Sequence, residues 1–475
     1  MIRFLAAAAL AASSIVGVAA PAFAEIEIQE VTSPGGIDAW LVEEHSIPFV
    51  SLEIRFDGGA AVDADGKRGA INLMTGLLEE GAGDMDARAF AQARDDLAAS
   101  FSFRAYQDAV SVSARFLTET SDEAIDLLHA ALVEPTFDDA AVERVRAQVI
   151  SGLRSALTDP NEIASAEFDR MVYGDHPYAT DPDGTVDSVT ALTRDDLVAA
   201  KDRVLARDRI HVGAAGDVTP EELGEMLDRL FEGLPETGAP LPGPAPTATT
   251  AGVTVVPFDT PQSVTFFGHA GIDRDDPDFF PAFVANAIFG GTGRQSRLTD
   301  EVREKRGLTY GIGSYVVNYD YADMVLGQFQ SANDRVGQAI DIVRDEWARI
   351  ADEGVTETEL EEAKTYLTGE YPLRFDSNAS IADILVAMQR QGLPTSYVTD
   401  RNSYVEAVTL DDIDRVAKRL YRPDLLRVVV VGQPEGLSAE ADAAADAVEG
   451  AAEDPAGDAA PGATGETAPE QPATD

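Results

Sequence analysis

Two spacings of apolar residues alternate along this chain. Segments with a period of two, "PFVSLEIRFDG" and "FSFRAYQDAVSVSARF" and later "VTVVPF", "SVTFFGHAG", "YGIGSYVV" and "MVLGQFQSA", predict strands. Longer segments with apolar residues every three to four positions, such as "VGQAIDIVRDEWARIADEG" and "TETELEEAKTYLTGEY", predict amphipathic helices. The strands cluster and are joined by hairpin-like breaks, which predicts mainly antiparallel sheets with helices on one face. The expected fold class is α+β, built twice.

The duplication is visible in the residues themselves. Leu192 to Gly216 falls on Val408 to Gly432 at a constant offset of 216 without a gap, and Thr193, Asp195, Asp196, Arg203, Asp208, Val212 and Gly216 each meet the same residue. Each copy reads as a Thr-capped helix with acids in its first turn, a short break, and a buried strand ending at Gly. Between the copies, Gly233 to Gly252 is rich in Pro, Gly, Thr and Ala, the composition of an extended connector. The expected units are residues 25–232 and 253–436, joined by 233–252.

Two stretches invite a chemical reading. In "GKRGAINLMTGLLEEG", expected to be the first long helix, Ala70, Leu73, Met74 and Leu77 form a core face, and Asn72, Thr75, Gly76 and Glu79 lie opposite. In "GRQSRLTDEVREKRGLTYGIGSY", Arg294, Arg297, Arg303, Lys305 and Arg306 crowd together. "SRLTDEVREKRG" predicts a short helix with Leu298 and Val302 inward and Gly307 as its stop. "LTYGIGSYVV" then alternates as a strand with Tyr310, Ile312 and Ser314 on one face, so that Arg303 and Tyr310 can be aimed into one space. Arg294, Arg297, Lys305 and Arg306 read as counter-charges to Asp300, Glu301 and Glu304.

Composition narrows the chemistry. The formal charge of -48 repels nucleic acid and anionic lipid. No cysteine is present, which excludes disulfides, thiolate metal sites and thiol nucleophiles. His45, His129, His176, His211 and His269 are scattered, with no pair at helical spacing, and read as turn, surface or core residues, His176 before Pro177 as a turn. Glu79 and Glu80 read as a solvated face. There is no Gly-x-Ser-x-Gly elbow or complete dinucleotide fingerprint. Residues 1–24 have the apolar run and Ala-x-Ala end of a signal peptide, and no second stretch approaches the ~20 apolar residues of a membrane helix, so a periplasmic location is expected. Residues 437–475, Ala, Gly, Pro and acid, are expected to be a disordered tail.

Taken together, the element order, the "DADGKRGAINLMTGLLEEG" context, the "YGDHPYATD" turn, the repeated half and "SRLTDEVREKRGLTY" resemble the pitrilysin/insulinase-type (M16) metallopeptidases, over roughly Ile26 to Gly432. The resemblance implies two homologous α/β roll domains of the LuxS/MPP-like metallohydrolase type. In active members the first helix carries His-x-x-Glu-His, two zinc ligands and the general base. Those positions fall here at Asn72, Thr75 and Gly76, none of which can do that work, and the third ligand's position falls at Ser151 or Gly152. The resemblance therefore implies no metal on this chain. It also implies that Arg303 and Tyr310, seven apart, match a substrate-binding Arg/Tyr pair of the half without zinc. The expectation is a zinc-less subunit whose partner chain bears His-x-x-Glu-His and zinc, acting on peptides or unfolded polypeptides. The alternative is a peptide-holding scaffold with no peptidase partner. Arg104-Ala105-Tyr106-Gln107 stands where active relatives tend to show Asn-Ala-x-Thr beside substrate, which suggests altered pairing with substrate in this half.

Overall fold

The computed structural model describes residues 26–291 and 296–437; the expected signal peptide, the tail beyond Leu437 and Arg294 lie outside the described residues. The first half forms a six-stranded sheet from β1 (Gln29–Thr32), β2 (Asp38–Glu43), β3 (Phe49–Asp57), β4 (Ser100–Ala105), β5 (Ala109–Leu117) and β6 (Ile210–Gly216), in the order β1-β2-β6-β3-β5-β4. Only β2 and β6 run parallel; the other neighbours are antiparallel. Its helices of interest are α1 (Ala70–Thr75), α2 (Asp139–Ala156), α3 (Pro160–Tyr173) and α4 (Arg194–Val204).

The second half repeats this plan with β7 (Gly252–Pro257), β8 (Gln262–Ala270), β9 (Ile312–Asn318), β10 (Asp323–Ala332) and β11 (Arg427–Gly432), in the order β9-β10-β8-β11-β7. Again one pair, β7 with β11, is parallel. Its helices include α5 (Phe279–Phe289), α6 (Val336–Glu353), α7 (Glu357–Glu370), α8 (Asn378–Arg390) and α9 (Leu410–Leu420). The α+β class and the mainly antiparallel sheets are as expected.

The repeated segment keeps its details. α4 and α9 both open on a reciprocal cap, Thr193 with Asp196 and Thr409 with Asp412, which satisfies donors that a helix start leaves unpaired. Their strands β6 and β11 end at Gly216 (φ 140°) and Gly432 (φ 157°), and a Cβ there would lie 2.2 Å from the Phe49 carbonyl oxygen and 2.3 Å from Ser263 Oγ. Glycine recurs because nothing larger fits where each strand passes its neighbour.

Each half has its own core on the helical face of its sheet, the first around Leu52, Ile54, Phe56, Phe116 and Phe231, the second around Trp347, Tyr421, Phe267 and Phe289. The opposite faces are covered by exchange. Ala164, Phe168 and Val172 of α3 bury against Val264, Met324, Leu326, Val429 and Val431 of the second sheet. In return, Ala382 and Leu385 of α8 bury against Val42 and Ala215 of the first. Polar contacts reinforce the junction: Arg390, closing α8, donates to Asp57 (2.9 Å) and Asp320 (2.6 Å), and Gln389 donates to the Val212 carbonyl (2.7 Å).

Close approach of α8 depends on Gly213 of β6, where any Cβ would sit 2.3 Å from the Ala382 carbonyl oxygen. Gly213→Val should therefore cost about 1–3 kcal/mol or more in equilibrium unfolding, as overpacking of a filled contact does. Gly152→Val, whose Cβ meets nothing within 4 Å, should stay within about 1 kcal/mol of the parent. Equal stabilities for the two variants would remove the argument.

Candidate functional site

α1 begins where Asp63 accepts from the backbone N–H of Gly69 (2.8 Å) and Ile71 (2.9 Å), a carboxylate standing in for an N-cap. Burial raises this carboxyl to about 6. Ala70, Leu73, Met74 and Leu77 are buried as expected. The helix is shorter than the sequence suggested: it stops at Thr75 and turns follow. Thr75 also departs from its expected face. It is 2% exposed, and its hydroxyl donates to the Ile71 carbonyl (2.8 Å), so its only polar atom is spent within the helix. Asn72 is half-buried, and Gly76 is exposed with Val145 of α2 only 3.2 Å from where a Cβ would stand.

This position does not fit zinc. Its three residues offer one carboxamide, one committed hydroxyl and no imidazole or carboxylate, and Ser151 and Gly152 on α2 are exposed and add no ligand. Among the described residues no group of three or more His, Asp or Glu is placed to hold a metal ion. Glu79 and Glu80 are not a free solvated face: they accept from Arg94 and Arg144 respectively. His45 lies between Glu43 and Asp217, His211 bonds Asp57, and His269 is in the core against Trp347. His176 caps the turn at Pro177–Ala179.

The basic stretch is wound more widely than an ordinary helix. Over Thr299–Glu304 the Lys305 N–H reaches back five residues to the Asp300 carbonyl (2.9 Å), and Gly307 (φ 62°) then closes the turn with its N–H on the Arg303 carbonyl (2.8 Å). Leu298 and Val302 point inward. Tyr310 does not share a face with Ile312 and Ser314, because β9 starts only at Ile312. A local turn, in which the Thr309 hydroxyl donates to the Gly311 carbonyl (2.8 Å), leaves Tyr310 89% exposed. Even so, Arg303 and Tyr310 line one cavity of about 440 Å³, together with Gln262, Gln328 and Gln330 and with Asn161 from α3.

Its neighbours in sequence are committed elsewhere. Lys305 pairs with Asp300 and Glu301 (both 2.7 Å), and Arg306 with Glu301 (2.6 Å). Arg297 is a correction to the expected local pairing, since it forms a two-pronged contact with Glu359 of α7 at 2.6 and 2.9 Å. Burial works against that carboxyl's charge, yet Arg297 and the Thr356 cap hold it at about 2. The Arg303 guanidinium is left with one ionic contact among the described residues, 3.5 Å to the adjacent exposed Glu304.

A second cavity of about 1000 Å³ lies along α3, between the end of α2 and residues 179–187. Its wall carries Asp159, Glu162, Asp169, Asp181, Asp183 and Asp187 and no Lys or Arg. Burial alone pushes Asp169 up to about 7. Gln107, which also faces it, is held by Arg68 (2.7 Å) and donates to the Pro177 carbonyl (3.0 Å), whereas Arg104 stands exposed on the sheet's outer strand β4. The Arg303 cavity matches the expected convergence of Arg303 and Tyr310, whereas no sequence signal marks the acidic one.

Residues 39–180 match the family model for Insulinase (Peptidase family M16), and residues 191–367 match the one for the Peptidase M16 inactive domain. The chain belongs to the M16 peptidase family. It is an inactive-type member, in keeping with Asn72, Thr75 and Gly76 on α1. This M16 chain is 25% identical over 377 residues to the "Non-peptidase homolog YmxG" of Helicobacter pylori, an alignment covering 79% of this chain and 87% of that one. It is 26% identical over 413 residues to an "Uncharacterized zinc protease" of Streptomyces coelicolor, covering 84% and 88%. Among solved structures, the peptidase M16 inactive domain from Pseudomonas fluorescens superposes with a TM-score of 0.81 at 28% identity, covering 87% of this chain and 100% of that one.

Proposed function

We propose that this chain is the zinc-less subunit of a periplasmic two-subunit M16 peptidase, and that it closes a peptide chamber and lends Arg303 and Tyr310 to substrate. The partner would be an M16 chain bearing His-x-x-Glu-His, which would supply zinc and the general base. One observation carries the reading: the chain has no groups for hydrolysis on α1, yet Arg303 and Tyr310 share a cavity, and among the described residues the Arg303 guanidinium has only the loose contact to Glu304 and the Tyr310 hydroxyl has no hydrogen-bond partner. A guanidinium donates through several fixed N–H groups to peptide carbonyls, and a phenol adds a donor where charge develops on a carbonyl oxygen. The cavity's carboxamides can pair with an extended main chain.

The test is reconstitution. The purified chain should cleave no peptide, and adding it to an exported His-x-x-Glu-His M16 chain should raise turnover. Arg303→Ala and Tyr310→Phe should each cut that gain by about tenfold or more with unchanged unfolding curves. Full turnover in both variants would sink the assignment. Under a second reading, a peptide-holding scaffold, peptide binding persists and no M16 partner gains activity.

A further inference from the structure

We infer that the cavity at Arg303 takes a carboxylate, specifically the C-terminal end of an extended peptide. This deepens the subunit reading and rests on it for the ligand being a peptide.

The charge distribution is the first reason. The chain has 84 acidic residues against 36 Lys and Arg, and the cavity beside α2 carries six carboxylates without a base. The Arg303 cavity shows the reverse: among the described residues no carboxylate lines it, and Arg303 is the one formal charge. A body this acidic repels anions at a distance, so a site cleared of acid and furnished with a loosely paired guanidinium favours a short-range anionic contact. Arginine's planar donors match both oxygens of a carboxylate at once, which a single carbonyl cannot offer.

Strand geometry is the second reason. β9 lies at the outer edge of its sheet, where an added strand would pair with its free backbone groups. That edge is already taken at Ser314, whose N–H donates to the Gly290 carbonyl (2.7 Å) and whose carbonyl accepts from Asn286 Nδ2 (2.9 Å). A peptide entering beside Ile312 therefore cannot pair along the whole strand. The arrangement suits a chain that ends there, with its terminal carboxylate at Arg303, Tyr310 and the carboxamides of Gln262 and Gln328, whose side chains have no partner among the described residues.

Equilibrium binding to the full-length mature chain tests this, using N-terminally labelled hexapeptides of Ala, Ser and Gly read by fluorescence anisotropy. The free acid should bind about tenfold tighter than the same peptide amidated. Arg303→Gln should abolish the difference, and Arg306→Gln, whose side chain is held by Glu301, should preserve it. Equal binding of acid and amide, both weakened by Arg303→Gln, would overturn the inference and leave the substrate-binding reading standing. An amidated peptide ending in Asp that binds as tightly as the free acid would overturn the choice of a chain terminus. Binding of neither form would overturn the inference outright, while the fate of the subunit reading would still be decided by turnover in the reconstituted pair.

Discussion

Asp169→Asn is expected to stabilise the protein at pH 8, by up to about 4 kcal/mol, and to change it by less than about 1 kcal/mol at pH 4. Asp169 follows Phe168 on α3, the helix pressed onto the second sheet, and its carboxyl has no hydrogen-bond or ionic partner among the described residues. Burial alone raises it from 3.8 to about 7. An acid whose folded value lies above its unfolded value binds its proton more tightly in the native state. Stability from that group is therefore full below pH 3.8, is lost as pH climbs toward 7, and stays lost above. The neutral amide removes the cost of stripping that proton in a poorly solvated place. Asp63 and Asp320, each raised to about 6 chiefly by burial, bend the curve the same way. Glu359 opposes them at the acid end: held at about 2 by Arg297 and the Thr356 cap, it contributes stability above pH 4.5 that disappears as pH falls toward 2. On these groups alone the parent should be most stable near pH 4, where Glu359 is charged in the folded chain and the raised carboxyls still hold their protons, and should lose stability toward pH 8. Urea unfolding at pH 4, 6 and 8 checks both statements, and a gain from Asp169→Asn that is equal at pH 4 and pH 8 would refute the cause given.

The sequence made some of this readable and concealed the rest for identifiable reasons. Alternation over "SVTFFGHAG" reports a strand because side chains two apart share a face, and β8 occupies that segment. The caps at Thr193 and Thr409 are local, three residues from the acid each engages, and so could be read directly. The apolar spacing overstates the length of α1, since it continues to Leu77 in a turn that is no longer helical. Alternation places Tyr310 in the strand because it cannot register a turn made by the Thr309 hydroxyl. Proximity in sequence points Arg297 to Asp300, Glu301 and Glu304, whereas its partner Glu359 is 62 residues away. Ala164, Phe168 and Val172 mark α3 as buried, but nothing in their spacing says that they bury on the other half's sheet. Asp169 is one acid among many until the fold places it out of reach of a cation. Arg303 and Tyr310 nevertheless line one cavity, although Tyr310 lies before β9 and not within it.

Rebuilding His-x-x-Glu-His on α1 with Asn72→His, Thr75→Glu and Gly76→His is expected to destabilise the chain by about 3–5 kcal/mol and to yield no stoichiometric zinc. Thr75 is 2% exposed and lies within a filled core layer, so a glutamate there becomes a buried charge without a partner. At Gly76 a Cβ meets Val145 Cγ1 at 3.2 Å, tighter than ordinary contact, so α2 must shift before an imidazole can be accommodated. Even with the helix restored, two imidazoles leave a catalytic zinc short of its third protein ligand, because Ser151 and Gly152 supply none. The introduced carboxyl should itself be raised by burial, so its destabilising effect should grow with pH from 5 to 8. Zinc analysis after dialysis and denaturant unfolding at both pH values provide the check. One zinc per chain in the triple variant at parental stability would show that α1 still offers a metal-binding geometry, and the account of Thr75 and Gly76 as packing residues would fall.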